Sequence, residues 1–488
     1  MTLCLKTNLE PIRNELDDVI RVFYGDVTFV PEGGDALIEH THLEADGQYT
    51  ETLSCDGAVC SRQAAVPEGE LEQKRVIKRA AKTALFLLLK QLTGIDPPWG
   101  SLTGICPTRL MYEALDEGLS MDDAEARLMD EFFVSPEKAG LIKTIVSAQT
   151  GLIYPPADSF DLYIHIPFCA TRCAYCSFAT GEVGNGKLIA PYVNALLTEL
   201  KDGAALMEQM GLKMRAGYIG GGTPTAIPAE QLERILVCVH ELFGQGEEFT
   251  VEAGRPDTIT PEKLEMLRRQ SVTRISVNPQ TFSDETLRLI GRAHTSEDTL
   301  KAYALAREYG FDDINMDLIA ALPGEDINAF SRTLEKVITL RPESVTVHTL
   351  AVKRASKLYE ERLLSGRTRT RREAADTDKM LSLALSSLTG SGYVPYYLYR
   401  QKHMAGNLEN TGYCLPGRQC LYNIGNMEET QKVLAFGAGS ISKWIFPREK
   451  RIERSANLRN VEEYIARTGE MSLKKRKIIL GEDAHEKA

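Results

Sequence analysis

The chain has 488 residues, 43% of them hydrophobic, and sets 57 Lys plus Arg against 68 Asp plus Glu for a formal net charge of −11. That length suggests two or three domains with sizeable cores, and an acidic balance with no evident basic face argues against a nucleic-acid protein. The start, Met1-Thr-Leu-Cys-Leu-Lys-Thr7, carries neither a charged leader nor an apolar h-region, and the conspicuous apolar run at 84–89 is far too short to span a bilayer. No membrane span and a cytoplasmic location are therefore expected, where the ten cysteines stay reduced.

In chain order, residues 1–155 read as an α+β and helical module. Strands are expected at 3–7, 27–30, 37–43 and 49–54, and helices at 11–24 and 70–92. A second helical set follows at 107–117, 121–133 and 136–148. Gly100-Ser-Leu-Thr-Gly104 is either a docking loop or a tight connection. The prolines of Tyr154-Pro-Pro-Ala-Asp158 mark a boundary.

From 161 to 355 short β-branched runs alternate with amphipathic helices, the pattern of βα units on a parallel sheet. Strands are expected at 162–166, 216–220, 248–253, 274–279, 313–319 and 344–350. Helical stretches lie between them at 192–210, 229–243, 261–270, 284–290 with 296–309, and 328–340. Six such units suit an α/β fold, a partial (β/α)6 barrel with chemistry at the C-terminal strand ends. A doubly wound sheet also alternates strand and helix, but does not readily gather residues from all six strands around one cavity. Residues 356–488 form a C-terminal region expected to cover the substrate, with helices at 356–364 and 374–389, a strand near 393–400 and a charged tail from 474.

Three cysteines carry the chemistry. Cys169, Cys173 and Cys176, spaced by four and three just after the first barrel strand, suit a cluster whose iron is held by thiolates. A cube of four irons on three thiolates keeps one iron open. Structural zinc favours four closed ligands, and disulfides favour an even count in a secreted chain, so neither suits the triplet. The loop Gly220-Gly-Gly-Thr-Pro224 after the second strand brings backbone close to a ligand or makes a turn; it lacks the Gly-Lys-Ser/Thr of a P-loop. Glu252, Gln280, Asp317 and His348 fall at or near the ends of later strands, on one rim.

The cysteine triplet resembles the signature of the radical S-adenosylmethionine (SAM) superfamily. With Tyr163-Ile-His-Ile-Pro-Phe-Cys169, Gly220-Gly-Gly-Thr-Pro-Thr225, Ile275-Ser-Val-Asn-Pro-Gln-Thr-Phe282, Ile290-Gly-Arg-Ala-His294 and Asn315-Met-Asp-Leu-Ile-Ala-Ala-Leu-Pro-Gly324, the chain resembles the oxygen-independent coproporphyrinogen III oxidase family, with its HemN, HemW and HemZ types. The likeness covers roughly 161–444, and the long N-terminal module with Pro395 to Asn410 looks most like the HemZ branch.

The resemblance implies a [4Fe–4S] cluster on the three cysteines and SAM surrounded by Tyr163, Gly221, Gly222, Thr223, Glu252, Gln280, Arg292 and Asp317. It implies a 5′-deoxyadenosyl radical that takes hydrogen from porphyrinogen propionates in haem biosynthesis, in a monomer served by an external electron donor and acceptor. A HemW-like haem chaperone and a radical SAM enzyme of another tetrapyrrole stand beside it. HemN-type enzymes usually carry a further cysteine where this chain has Phe178, and HemW-type proteins carry Phe there. Cys55 with Cys60 and Cys414 with Cys420 are only pairs, too few for a second cluster. His348 and Tyr393, Tyr396, Tyr397 and Tyr399 are candidate substrate contacts, although strand aromatics are commonly core. Arg400, Lys402 and Arg418 are candidate partners for substrate carboxylates.

Overall fold

Strand alternation explains how the sheet curves around a polar interior. In β1 (Ser159–Ile166) Phe160, Leu162, Ile164 and Ile166 pack into the main core under the helices, while Asp161, Tyr163 and His165 occupy the other face. The structure is a computed structural model that describes residues 1–104, 106–178, 180–365, 371–401, 405–446 and 451–481. In it, β1 pairs in parallel with β2 (Lys213–Gly221), and the series continues through β3 (Glu248–Val251), β4 (Arg274–Ser276), β5 (Ile314–Ala320) and β6 (Ser344–Thr349). All six expected barrel strands are present.

The stretch beyond residue 356 enlarges this sheet at both edges. β7 (Val394–Arg400) pairs antiparallel with β8 (Glu409–Cys414), which pairs antiparallel with β6. At the other edge β9 (Val433–Phe436) runs parallel to β1, then β10 (Ile441–Phe446) and β11 (Arg451–Ala456) continue antiparallel. The result is one sheet of eleven strands, seven of them parallel.

The segment between β8 and β9 closes the lower, N-terminal mouth of the barrel. Arg215 forks onto Asp161 at 2.9 and 2.6 Å and donates to the Leu421 carbonyl. Arg274 reaches Asp313 at 2.8 Å and Glu248 at 2.7 Å, and Glu248 accepts from the amides of Leu421 and Tyr422. These charges are buried but mutually paired, the condition under which buried ions are tolerated. Arg418 belongs here, within 4.0 Å of Asp312 and 3.9 Å of Asp313, at the opposite end from the cysteines. It is not placed to meet substrate carboxylates.

The N-terminal module divides in two. Strands Thr28–Phe29, Thr2–Thr7, Ala36–Ala45, Gln48–Cys55 and Ala58–Ala65, in that order, form a sheet that shares a separate core with helices Arg13–Tyr24 and Glu70–Thr93. Helices Thr108–Asp116, Met121–Phe132 and Pro136–Ala148 instead join the core of the large sheet. Ser120 and Ser135 cap the latter two by accepting from Asp123 and Lys138 amides.

The loop at 100–104 is a tight connection that also clasps β7. Ser101 N donates to the Phe132 carbonyl at 2.9 Å, and the Leu102 carbonyl accepts from Arg400 and Asn407 at 3.0 Å each. Arg400 is buried, stacked 4.8 Å from the Trp99 ring centroid. Its guanidinium joins two modules and is not available to a substrate; Lys402 lies outside the described residues.

Candidate active site at the barrel rim

The cysteines stand on the loop that leaves β1. A short strand, Phe168–Cys169, ends on the first thiol, Cys176 N closes a turn onto the Cys173 carbonyl at 3.1 Å, and Ala174 N is tied to the Ile290 carbonyl at 2.9 Å. Thr223 Oγ1 lies 3.9 Å from Cys169 Sγ. Burial raises the Cys169 and Cys176 thiols above their ordinary pKa, and neighbouring thiols add to it. Thiols raised in this way need a cationic partner to become thiolates.

Among the described residues no three His, Cys, Asp or Glu groups converge on a single metal ion. A cube does not ask for that, since each thiolate grips a different iron. The donor set therefore fits a three-thiolate cluster. All ten cysteines are free of disulfides, and Cys420 Sγ is occupied with Glu248 at 3.1 Å, away from the triplet.

The glycine loop is sewn to the exit of β1: Gly222 N donates to the Ile166 carbonyl and Thr223 N to the Phe168 carbonyl, both at 2.8 Å. Gly221 has φ +104°, and a Cβ there meets the His165 ring at 2.7 Å; one on Gly222 meets the Phe168 carbonyl oxygen at 2.5 Å. These two glycines are thus required first by the chain's own packing.

Inside the rim, Tyr163 stacks on Tyr422 and Tyr218 at centroid distances of 6.0 and 6.2 Å, and Tyr218 on Tyr422 at 4.6 Å. Tyr218 donates to Glu252 Oε1 at 2.7 Å. Burial carries Glu252 up to about 7; Tyr218 holds it down in part, while the nearby Asp317 raises it further. Asp317 feels the same burial, but the nearby His348 ring and a hydrogen bond from the Asn315 amide outweigh it and leave its pKa lowered. Two neighbouring carboxylates are thereby set apart.

Gln280 follows β4 in the left-handed region, φ +65°, held by its amide on the Asp317 carbonyl at 2.9 Å. Its Oε1 is buried without a partner, as is Arg292 Nε. Arg292 Nη2 donates to the Gly254 carbonyl at 3.1 Å and Nη1 lies 3.4 Å from the Tyr175 hydroxyl on the cysteine loop. Unsatisfied buried acceptor and donor atoms beside a raised carboxyl suit a ligand bearing ammonium, carboxylate and ribose groups, as SAM does.

On the far wall His348 Nδ1 is 3.3 Å from the Tyr399 hydroxyl and its Nε2 is 3.8 Å from Asp317. The other strand tyrosines are core: Tyr393 donates to the Pro342 carbonyl, and Tyr396 and Tyr397 fill the lower barrel with Cys414 and Cys420. Sequence reasoning missed Tyr218 and Tyr422. Tyr218 lies two residues before Gly220, so strand alternation would have placed it inward; Tyr422 comes from the closing segment and gave no signal.

Residues 163–337 match the radical SAM superfamily. The oxygen-independent coproporphyrinogen-III oxidase-like protein HemZ of Bacillus subtilis (strain 168) is 39% identical over 408 residues, 81% of this chain and 80% of that protein. The chain belongs to the oxygen-independent coproporphyrinogen III oxidase-like family of radical SAM proteins. The heme chaperone HemW of the same organism is 30% identical, over 57% of this chain and 69% of that protein. Among solved structures, coproporphyrinogen III oxidase (HemN) from Escherichia coli shares the fold at a TM-score of 0.52 and 23% identity, over 69% of this chain and 73% of that one. The partial barrel is borne out, and membership in this family makes a [4Fe–4S] cluster and SAM the protein's cofactors. Among the described residues no helix is long and apolar enough to cross a membrane.

Proposed function

We propose that the protein converts coproporphyrinogen III to protoporphyrinogen IX by oxidative decarboxylation without oxygen, in the cytoplasm and with an external electron donor and acceptor. The observation that carries this reading is the gathering, on one rim, of the three-thiol loop, a raised carboxyl at Glu252, the unpartnered Gln280 and Arg292 atoms, and an aromatic wall. When bound, the cluster and SAM supply the hydrogen-atom abstraction that a propionate β-carbon demands before CO2 leaves and a vinyl group forms.

In this reading Cys169, Cys173 and Cys176 hold the cluster. Gly221, Gly222 and Thr223 border SAM with Tyr163. Arg292 would meet the methionine carboxylate through its unpartnered Nε, Gln280 Oε1 would accept from a SAM donor, and Glu252 and Asp317 would accept from ribose hydroxyls or the ammonium. A cationic ligand lowers the Glu252 pKa and fixes it as the carboxylate. His348 and Tyr399 present donors to the substrate, and the closed lower mouth limits water to the upper opening.

A second reading, a haem chaperone, is favoured by Phe178, which lies two residues past Cys176 and is 64% exposed. An anaerobic assay of reconstituted, reduced protein with SAM and coproporphyrinogen III, read by mass spectrometry beside a haem titration, separates the two. Divinyl product is expected. Tight haem binding with active SAM cleavage, an acceptor present and no decarboxylated product would select the chaperone.

A further inference from the structure

The substrate of the reaction proposed above is a tetracarboxylate, and it must approach a protein of net charge −11 beside a thiolate-bound cluster. Such an approach calls for a cation that is not already neutralised. Most rim cations are engaged. Arg255 forks onto Asp257 at 2.9 and 3.0 Å and donates to Thr171, and Arg292 is held by Gly254 and Tyr175.

Lys353 differs. It lies on the loop leaving β6, five residues beyond His348, and among the described residues no hydrogen bond or ion pair holds its ammonium. Its backbone is fixed nonetheless: the Lys353 carbonyl accepts from Ser356 N at 2.9 Å and Ser356 Oγ at 2.8 Å. The same loop is strapped to the cysteine loop, with Leu358 N donating to the Ala174 carbonyl at 3.0 Å and Arg172 Nη2 to the Ala355 carbonyl at 2.7 Å. Arg172 keeps a buried Nε without a partner. Lys353 is half-buried. A half-buried lysine on a braced loop, with no carboxylate paired to it among the described residues, is left to meet an anion from outside the chain.

We infer that Lys353, flanked by Arg172, anchors one propionate carboxylate of the tetrapyrrole beside the cysteine loop. This rests on the tetrapyrrole reading of the site. The anchored group is one that does not react, because a cation that stabilises a carboxylate opposes its loss as CO2.

The test titrates cluster-loaded protein anaerobically with coproporphyrin III and, separately, with its tetramethyl ester, following porphyrin fluorescence. Lys353→Gln should weaken the tetra-acid about tenfold while leaving the ester unchanged, and Lys353→Arg should restore acid binding. In turnover the Lys353→Gln protein should show the loss in KM more than in kcat. Equal acid affinity in wild type and Lys353→Gln overturns the anchor. So does an equal loss for acid and ester, or a fall in iron content, which places Lys353 on the cluster instead. The titration reads binding alone. A wild type that binds the acid through Lys353 yet forms no vinyl product therefore sustains the anchor and counts against decarboxylation.

Discussion

Removing one hydroxyl should shift the pH dependence of SAM binding. Tyr218 donates to Glu252 at 2.7 Å, and a hydrogen bond to a charged acceptor is worth about 1.5–3 kcal/mol. At 1.36 kcal/mol per pKa unit, Tyr218→Phe should lift Glu252 from about 7 by roughly one to two pH units. The sign follows from the charge: Glu252 is neutral below its pKa and a carboxylate above it, and SAM, bearing an ammonium and a sulfonium, favours the carboxylate. SAM affinity should therefore rise with pH through about 7 in the wild type and through a higher midpoint in the variant. At pH 7 about half of the wild-type groups are ionised, against roughly a tenth or fewer in the variant. Equilibrium dialysis of SAM from pH 6 to 9 with the cluster-loaded proteins measures this. Superimposable profiles, or a Glu252→Gln protein that keeps the wild-type pH dependence, would refute the reasoning.

Alanine at Cys169, Cys173 or Cys176 should abolish the iron and sulfide content of anaerobically reconstituted protein, whereas alanine at Cys55, Cys60, Cys414 or Cys420 should leave it; full content in Cys173→Ala would remove the cluster assignment. Gly222→Ala should reduce iron loading as well as SAM binding, because its Cβ would press on the Phe168 carbonyl next to Cys169, and circular dichroism checks that the fold survives. Lys138→Met should cost about 3–5 kcal/mol, since Lys138 Nζ lies 2.8 Å from a Glu409 carboxylate that would stay buried. Its urea midpoint should fall, and adding Glu409→Gln should recover part of the loss; no recovery would mean the ion pair is not the cause.

The βα alternation was legible because each strand is a short β-branched run and each helix buries one face, and both signals are local. The helices Ala229–Phe243 and Pro136–Ala148 lie where the sequence puts them. β4 stops at Ser276 instead of running to 279 because the chain turns toward the left-handed Gln280, which a bridge to Leu318 holds. Val433–Phe436 reads as a brief apolar run, and nothing nearby reveals that it pairs with β1 more than 260 residues earlier. Ala58–Ala65 was missed for a different reason: its alanines have little intrinsic preference for a strand, and pairing with Gln48–Cys55 supplies the order.

The rim residues were legible because strand ends gather them. Which aromatic faces the site was not. Tyr397 and Tyr399 share one face of β7, against Thr346 and His348 of β6, and depth along the strand separates the core tyrosine from the one at the rim. The charge of Arg400 suggested a substrate contact, and its burial against Trp99 was invisible without the N-terminal module in place.

The central claim is that hydrogen is taken from a substrate propionate at this rim. Coproporphyrinogen III deuterated at the propionate β-carbons, turned over anaerobically by the reduced protein with SAM and an electron acceptor, tests it directly. The account predicts deuterium in the released 5′-deoxyadenosine together with CO2 and the divinyl product. Unlabelled 5′-deoxyadenosine with no vinyl product, from protein of full iron content, would contradict it.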